Sequence, residues 1–195
     1  MTDTPAPAGH ARRTDARANR ERLLAAAAEV FAEAGPGASL NEIARRAGVG
    51  PGTLYRHFPN RPALLTALLR DRIETLCARA EALRAADSPD DALAEWLGAF
   101  LTHARVNQGM GGALLVEEAA GPGLDCHRLI LDAATGLLTR AQRHGSARAD
   151  LTAEDLLQLV VGIALSTARD EHSGQPDRLL ALVVDAVHSP SRRGL

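Results

Sequence analysis

Thr53, Tyr55, Arg56 and His57 crowd into five residues of a chain with one tyrosine, one tryptophan and three phenylalanines in all. A guanidinium can bond a guanine edge at two acceptors, and a threonine methyl can touch the methyl of thymine. A phenol and an imidazole can hold phosphate oxygens, which orients a helix without reading sequence. These are the parts of a major-groove contact, provided that they point the same way. At about 100° per residue, Leu54 and Phe58 fall together and must face a core. Gly52, Thr53 and Arg56 fall opposite them, and Tyr55 and His57 lie on the two flanks.

Such a helix has to be held by its neighbours, and the stretch SLNEIARRAGVGPGTLYRHF (39–58) supplies one of them. Ser39 followed by Glu42 predicts a capping box at the start of a short helix, with Ile43, Ala44 and Ala47 facing inward. Gly48 ends it after about two turns, and Pro51 suits the first turn of the next helix, where its missing N–H costs nothing. Two short helices joined by a glycine-containing turn form a helix-turn-helix. A first helix is expected from about Ala18 to Ala34, with Leu23, Leu24, Ala27, Val30 and Phe31 in one stripe. Asn60 reads as the N-cap of a long fourth helix reaching about Ala86. Residues 1–17, rich in Pro, Ala and Arg without an apolar period, are expected to be a flexible arm.

The remainder repeats the helical theme. Ser88-Pro89-Asp90-Asp91 is a restart signal ahead of Leu93, Trp96, Leu97, Phe100 and Leu101. The sequence then predicts a short helix near 113–119, a longer one near 123–145, one introduced by Thr152 and Asp155, and a last one over 176–188. Hydrophobic residues make up 46% but aromatics only 3%. The apolar content is therefore mostly Ala and Leu, strong helix formers. The expectation is an all-α protein of about nine helices, divided into an arm (1–17), a DNA-binding domain (18–62) and a ligand-binding and dimerisation domain (63–195). Charge follows the same division. All 22 basic residues are Arg; residues 1–70 hold ten against six acids (+4) and residues 71–195 hold twelve against eighteen (−6), which accounts for the net −2. A basic end on an acidic remainder suits a polyanion at that end.

Other chemistry finds little support. Cys77 and Cys126 have no metal or redox spacing and read as small core residues. Gly48-x-Gly50-x-Gly52 follows no strand and has the wrong pattern for a nucleotide loop. No catalytic set has supporting context, so no enzyme, metal or cofactor is expected. There is no run of eighteen apolar residues and no leader-like start, which points to a cytoplasmic protein. Spacing and charge alone leave a helical interaction protein without DNA binding as the alternative.

The residues narrow the choice. The stretch FAEAGPGASLNEIARRAGVGPGTLYRHFPNRPALLTALL resembles the DNA-binding domain of TetR-family transcriptional regulators. The resemblance rests on Ala-x-x-Phe in the first helix, Ile43-Ala44-x-x-Ala47-Gly48-Val49, Gly52-Thr53-Leu54-Tyr55-x-His57-Phe58 and the Leu-rich start of the fourth helix, and covers about residues 20–70. It implies a homodimer on a double-stranded, two-fold symmetric operator and a C-terminal domain that holds a small effector. By position it implies that Ser39 caps its helix against a phosphate, that Asn41 and Thr53 lie near bases, and that Tyr55, His57 and Arg61 hold phosphates. Arg56 occupies a position that varies in the family, as a specificity residue would. Gly50-Pro51 departs from the polar pair, such as Ser-Lys, that many relatives carry, and leaves the start of the recognition helix without a cation. Family habit favours a repressor released by its effector; an activator of the same fold is the alternative. The two last helices, broadly apolar, are expected to pair with those of a second copy. Trp96, Phe100, His103, Met110 and His127 are the candidate effector contacts.

Overall fold

The computed structural model describes residues 8–109, 125–168 and 174–188, and among these residues every regular element is helical. In chain order they are α1 (Ala8–Ala34), a 3-10 turn (Gly35–Gly37), α2 (Leu40–Arg46), α3 (Pro51–His57), α4 (Arg61–Leu83), α5 (Pro89–Gly109), α6 (Cys126–His144), α7 (Ala153–Ser166) and α8 (Gln175–His188). The expected helix near 113–119 and residue Met110 lie outside the described residues.

Local chemistry accounts for most of the ends. Asn60 Oδ1 accepts the Ala63 N–H at 2.9 Å, and Ser88 Oγ that of Asp91 at 3.3 Å. Asp125 accepts the Arg128 N–H at 2.9 Å. Thr152 and Asp155 close a full capping box on α7. Each satisfies an N–H that the first turn leaves without a helical partner. Two expectations fail. Ser39 is the N-cap of α2, but its side chain makes no cap hydrogen bond; the Glu42 carboxylate turns instead to the Arg45 guanidinium, at 2.7 and 2.8 Å. And α1 begins at Ala8, not Ala18. The Ala- and Arg-rich stretch after Pro7 has high helix propensity, so residues 8–17 extend the helix where a flexible arm was expected.

The fourth helix stops at Leu83, short of Ala86, where the Arg140 side chain donates to the carbonyls of Leu83 and Ala86. A cation on the last carbonyls satisfies acceptors that the helix cannot.

The chain divides into two compact units, the first ending at Leu68 and the second starting at Leu69. The division falls six residues beyond the expected 62/63 boundary. Leu64 and Leu68, both buried, go with the first unit. The core of that unit comprises Leu23, Ala27, Val30, Phe31, Ile43, Ala44, Leu54 and Phe58, with α2 packed on both α1 and α3. The second unit buries a cluster drawn from α4 to α8, centred on Trp96, Leu97, Leu137, Leu156 and Val160. Trp96 stacks on Phe100 with ring centroids 5.7 Å apart, and its indole N–H donates to the Leu76 carbonyl at 3.0 Å. A buried indole N–H left unpaired would cost about 1–3 kcal/mol; here it ties α5 to α4. On the outside of α7 and α8, Leu159, Leu165 and Leu182 are about half exposed or more.

Candidate nucleic-acid interface

The helix-turn-helix is set by one backbone conformation. Gly48 has φ +67°, the left-handed region in which a Cβ is strained. That conformation turns the chain so that Gly48 N–H donates to Arg45 O (3.1 Å) and Val49 N–H to Ala44 O (3.0 Å), the paired bonds of a Schellman ending. Gly50 is then extended, and its carbonyl accepts from Thr53 (2.9 Å) and Leu54 (3.3 Å), opening α3 with Pro51 in the first turn. Leu54 and Phe58 are buried at 0% and 3%, which fixes the roll of α3. The Arg20 guanidinium of α1 lies 5.8 Å from the centre of the Phe58 ring and braces the end of α3.

With Leu54 and Phe58 inward, the remaining α3 side chains are turned out. Tyr55 is 47% exposed, Arg56 is exposed, and Thr53 and His57 are partly buried. Arg56 folds back on its own helix: Nε donates to Gly52 O at 3.2 Å and a terminal nitrogen to Thr53 Oγ1 at 3.0 Å. A guanidinium so placed covers the threonine, and both must part before either meets a base. Ser39 and Asn41, at the start of α2, are exposed, and Arg61 opens α4 partly buried. All seven sequence-predicted DNA contacts therefore belong to one compact unit, on α2, α3 and the first turn of α4.

Other cations of this unit are engaged in holding helices. Arg46 reaches Glu33 of α1 at 2.6 and 2.9 Å and lies within 3.5 Å of Glu42. Arg46 holds the Glu33 carboxyl below its ordinary range, and Arg45 does the same for Glu42. The Arg46–Glu33 pair joins α2 to α1, whereas Arg45–Glu42 lies within α2, and as exposed pairs both carry little stability.

A second feature lies in the C-terminal unit. A cavity of about 260 Å³ opens between α4 and α5, lined by Arg72, Thr75, Leu76, Arg79, Ala99, Thr102, His103 and Val106. Of the four described residues read from sequence as effector contacts, Trp96, Phe100, His103 and His127, only His103 lines it. Trp96 and Phe100 belong to the core instead, because their rings complete the packing of α5 against α4. His127 is exposed near the start of α6. His103 ends the aromatic stack, 6.3 Å from the Phe100 ring. Burial, and then the Arg72 charge, push its pKa down to about 4. Sequence reasoning did not name Arg72 and Arg79 among the residues of this cavity. The signal was available: Arg72 interrupts the apolar stripe of α4, four residues from Leu68 and from Leu76. Among the described residues, no group of three or more His, Cys, Asp or Glu is arranged for a metal, and no helix is long and apolar enough to cross a membrane.

Comparison with known proteins agrees with this layout. Residues 23–68 match the model of bacterial regulatory proteins of the tetR family, and residues 88–188 match the C-terminal domain of SbtR-like transcriptional regulators. A TetR transcriptional regulator from Streptomyces coelicolor is 41% identical, with 87% of this chain and 98% of that chain aligned and a TM-score of 0.77. A TetR regulatory protein from Mycobacterium vanbaalenii is 34% identical over 91% of this chain and 99% of that one, with a TM-score of 0.73. The regulator UidR of Escherichia coli K12 is 40% identical over 67 residues, 34% of either chain, so the match spans about a third of the length of the curated relatives.

Proposed function

This chain belongs to the TetR family of bacterial regulatory proteins, and on that premise we propose that it is a homodimeric repressor that leaves its DNA operator when a small molecule binds. The observation that carries the reading is α3 itself. Leu54 and Phe58 are anchored in the core while Tyr55 and Arg56 stand exposed on the other side. In this reading Arg56, released from Thr53, reads a base edge, and Thr53 and Asn41 lie beside bases. Ser39, Tyr55, His57 and Arg61 hold phosphates on either side of the groove. Only the first group carries sequence information. The extension of α1 brings Arg12, Arg13 and Arg17 into the same helix as Arg20 and Arg22, and these add long-range attraction where Gly50-Pro51 supplies none.

The dimer reading is supported by what α7 and α8 leave uncovered. Leu159, Leu165 and Leu182 stand out from two helices whose other faces are already buried. Four such helices from two copies would bury them in a bundle. A two-fold dimer would set its recognition helices to two half-sites about 34–36 Å apart.

The switch is assigned to α4. This one helix begins with Arg61 in the N-terminal unit and carries Arg72, Thr75, Leu76 and Arg79 of the cavity in the C-terminal unit. A molecule that fits the cavity in only one setting of α4 would shift the population of DNA-competent dimers; one that fits both settings equally would shift nothing.

Selection of bound fragments from a random DNA library tests the proposal. The expected product is a two-fold symmetric site, and a reporter placed behind it should be silenced by the protein. Loss of all enrichment at low salt would overturn the DNA reading, and activation of the reporter would overturn the repressor.

A further inference from the structure

We propose that Arg22, on α1, holds a DNA phosphate beside the α2–α3 turn and so takes the place of the cation that the start of the recognition helix lacks. This deepens the regulator reading and rests on it, because it names a further contact of the same interface.

The turn sets the need. Gly50-Pro51 puts no cation at the start of α3, and Pro51 has no N–H to offer. A Cβ built on Gly50 or on Gly52 would meet nothing within 4 Å. With no side chains there, a sugar–phosphate strand can lie close to the backbone, yet the turn itself gives that strand no charge to bind. The charge comes from another helix. A Cβ built on Gly48 would lie 3.8 Å from a terminal nitrogen of Arg22, which places this guanidinium beside the turn.

The other arginines whose side chains are described in this unit are engaged elsewhere. Arg17 is paired with Glu21 at 2.9 Å, Arg45 with Glu42 at 2.7 Å and Arg46 with Glu33 at 2.6 Å. Arg20 covers the Phe58 ring, and Arg56 bonds Gly52 and Thr53 of its own helix. Arg61 stands beyond the opposite end of α3, at the start of α4. Arg22 is exposed, and among the described residues it donates to the Asn19 side-chain oxygen and meets no carboxylate. The amide is neutral. It takes up one of the five guanidinium N–H groups, which steadies the side chain and leaves its charge uncompensated. Phosphate oxygens suit such a group, since a guanidinium can meet two of them at once.

Direct contact and long-range attraction differ in their response to salt. Each phosphate held by a cation displaces condensed counterions and steepens the plot of log K against log[salt] by about 0.9. For a dimer on two half-sites, Arg22 therefore accounts for about 1.8 of the slope. Fluorescence anisotropy of the full-length protein on the selected operator, over about 50–200 mM salt, measures it. Arg22→Gln should lower the slope by about 1.8 and leave preference among single-base variants unchanged. Arg22→Met, which keeps an unbranched stem on α1 without the charge, should give the same loss, so the test does not hang on one folded variant. Arg22→Lys should keep most of the slope. Arg17→Gln removes the same charge from a guanidinium that Glu21 holds, and should leave the slope at the parent value. Pro51→Lys, which returns a cation to the start of α3, should restore the slope in the Arg22→Gln background. A slope indifferent to Arg22→Gln and Arg22→Met would overturn the proposal. So would an equal fall in Arg17→Gln, the mark of a diffuse field, or a changed base preference. A parent protein that binds no DNA refutes the regulator reading and this contact with it; a parent that binds with a slope indifferent to Arg22 refutes the contact alone.

Discussion

Acidification should destabilise the C-terminal unit through one side chain, His103. Its pKa is near 4 in the folded protein against an ordinary 6.5, because burial and then the neighbouring Arg72 charge disfavour the imidazolium. The unfolded chain therefore takes up this proton first. Above about pH 6.5 the histidine is neutral in both states and the stability it allows is fully present. Between 6.5 and 4 only the unfolded state is protonated, so stability falls as pH falls; below 4 both states are protonated and the loss is complete. The gap of about 2.5 pKa units, at about 1.4 kcal/mol each, sets a loss of about 3 kcal/mol. Trp96 reports on the right region, since it is the sole tryptophan and stacks on Phe100, the neighbour of His103. The assay is urea unfolding followed by Trp96 fluorescence at pH 7, 6, 5 and 4, for the parent and for His103→Gln. Protein concentration must be fixed, because a dimer's stability depends on it. Other groups titrate in both proteins, so the difference between the two curves isolates His103. Parallel pH dependences would refute the reasoning, as would a His103 ring proton that titrates near 6.5 by NMR.

Gly48→Ala should cost about 1–2 kcal/mol in a thermal melt of the isolated effect on the N-terminal unit, from backbone strain alone, because the added Cβ meets nothing closer than an Arg22 nitrogen at 3.8 Å. An unchanged melt would show that the turn tolerates a side chain. Arg56→Ala should weaken binding to the selected operator by about 1–3 kcal/mol and flatten preference at one base position. Tyr55→Phe should weaken all sequences alike. Fluorescence anisotropy on a panel of single-base variants distinguishes these patterns, and a Tyr55→Phe protein with altered base preference would contradict the phosphate role. Leu182→Glu, at a position 60% exposed in the single chain, should yield a monomer by light scattering with its helical circular dichroism retained. A persistent dimer would move the interface away from α8.

The legible parts of this protein are those that a few neighbouring residues decide. The turn at Gly48, the inward pair Leu54 and Phe58, the restart at Ser88-Pro89 and the Thr152–Asp155 box were all readable, because a cap, a left-handed glycine or a 3.6-residue stripe is complete within a turn or two of chain. Even locally, competition between partners escapes such reading. Ser39 and Glu42 have the spacing of a capping box, yet Glu42 belongs to Arg45 and Arg46, and Arg46 in turn reaches back to Glu33 on another helix. The α4–α5 cavity lay furthest from view. Trp96, Phe100 and His103 share one stripe of α5, and nothing in that stripe says that the first two fill the core and the third borders a void. A cavity is the space that several helices fail to fill. Its walls depend on how α4 lies against α5, which places Arg72 beside His103 from 31 positions away in the chain. Propensity and periodicity act along the sequence; the desolvation of Arg72 and His103, and the chemistry it confers, arise only when distant segments exclude water together.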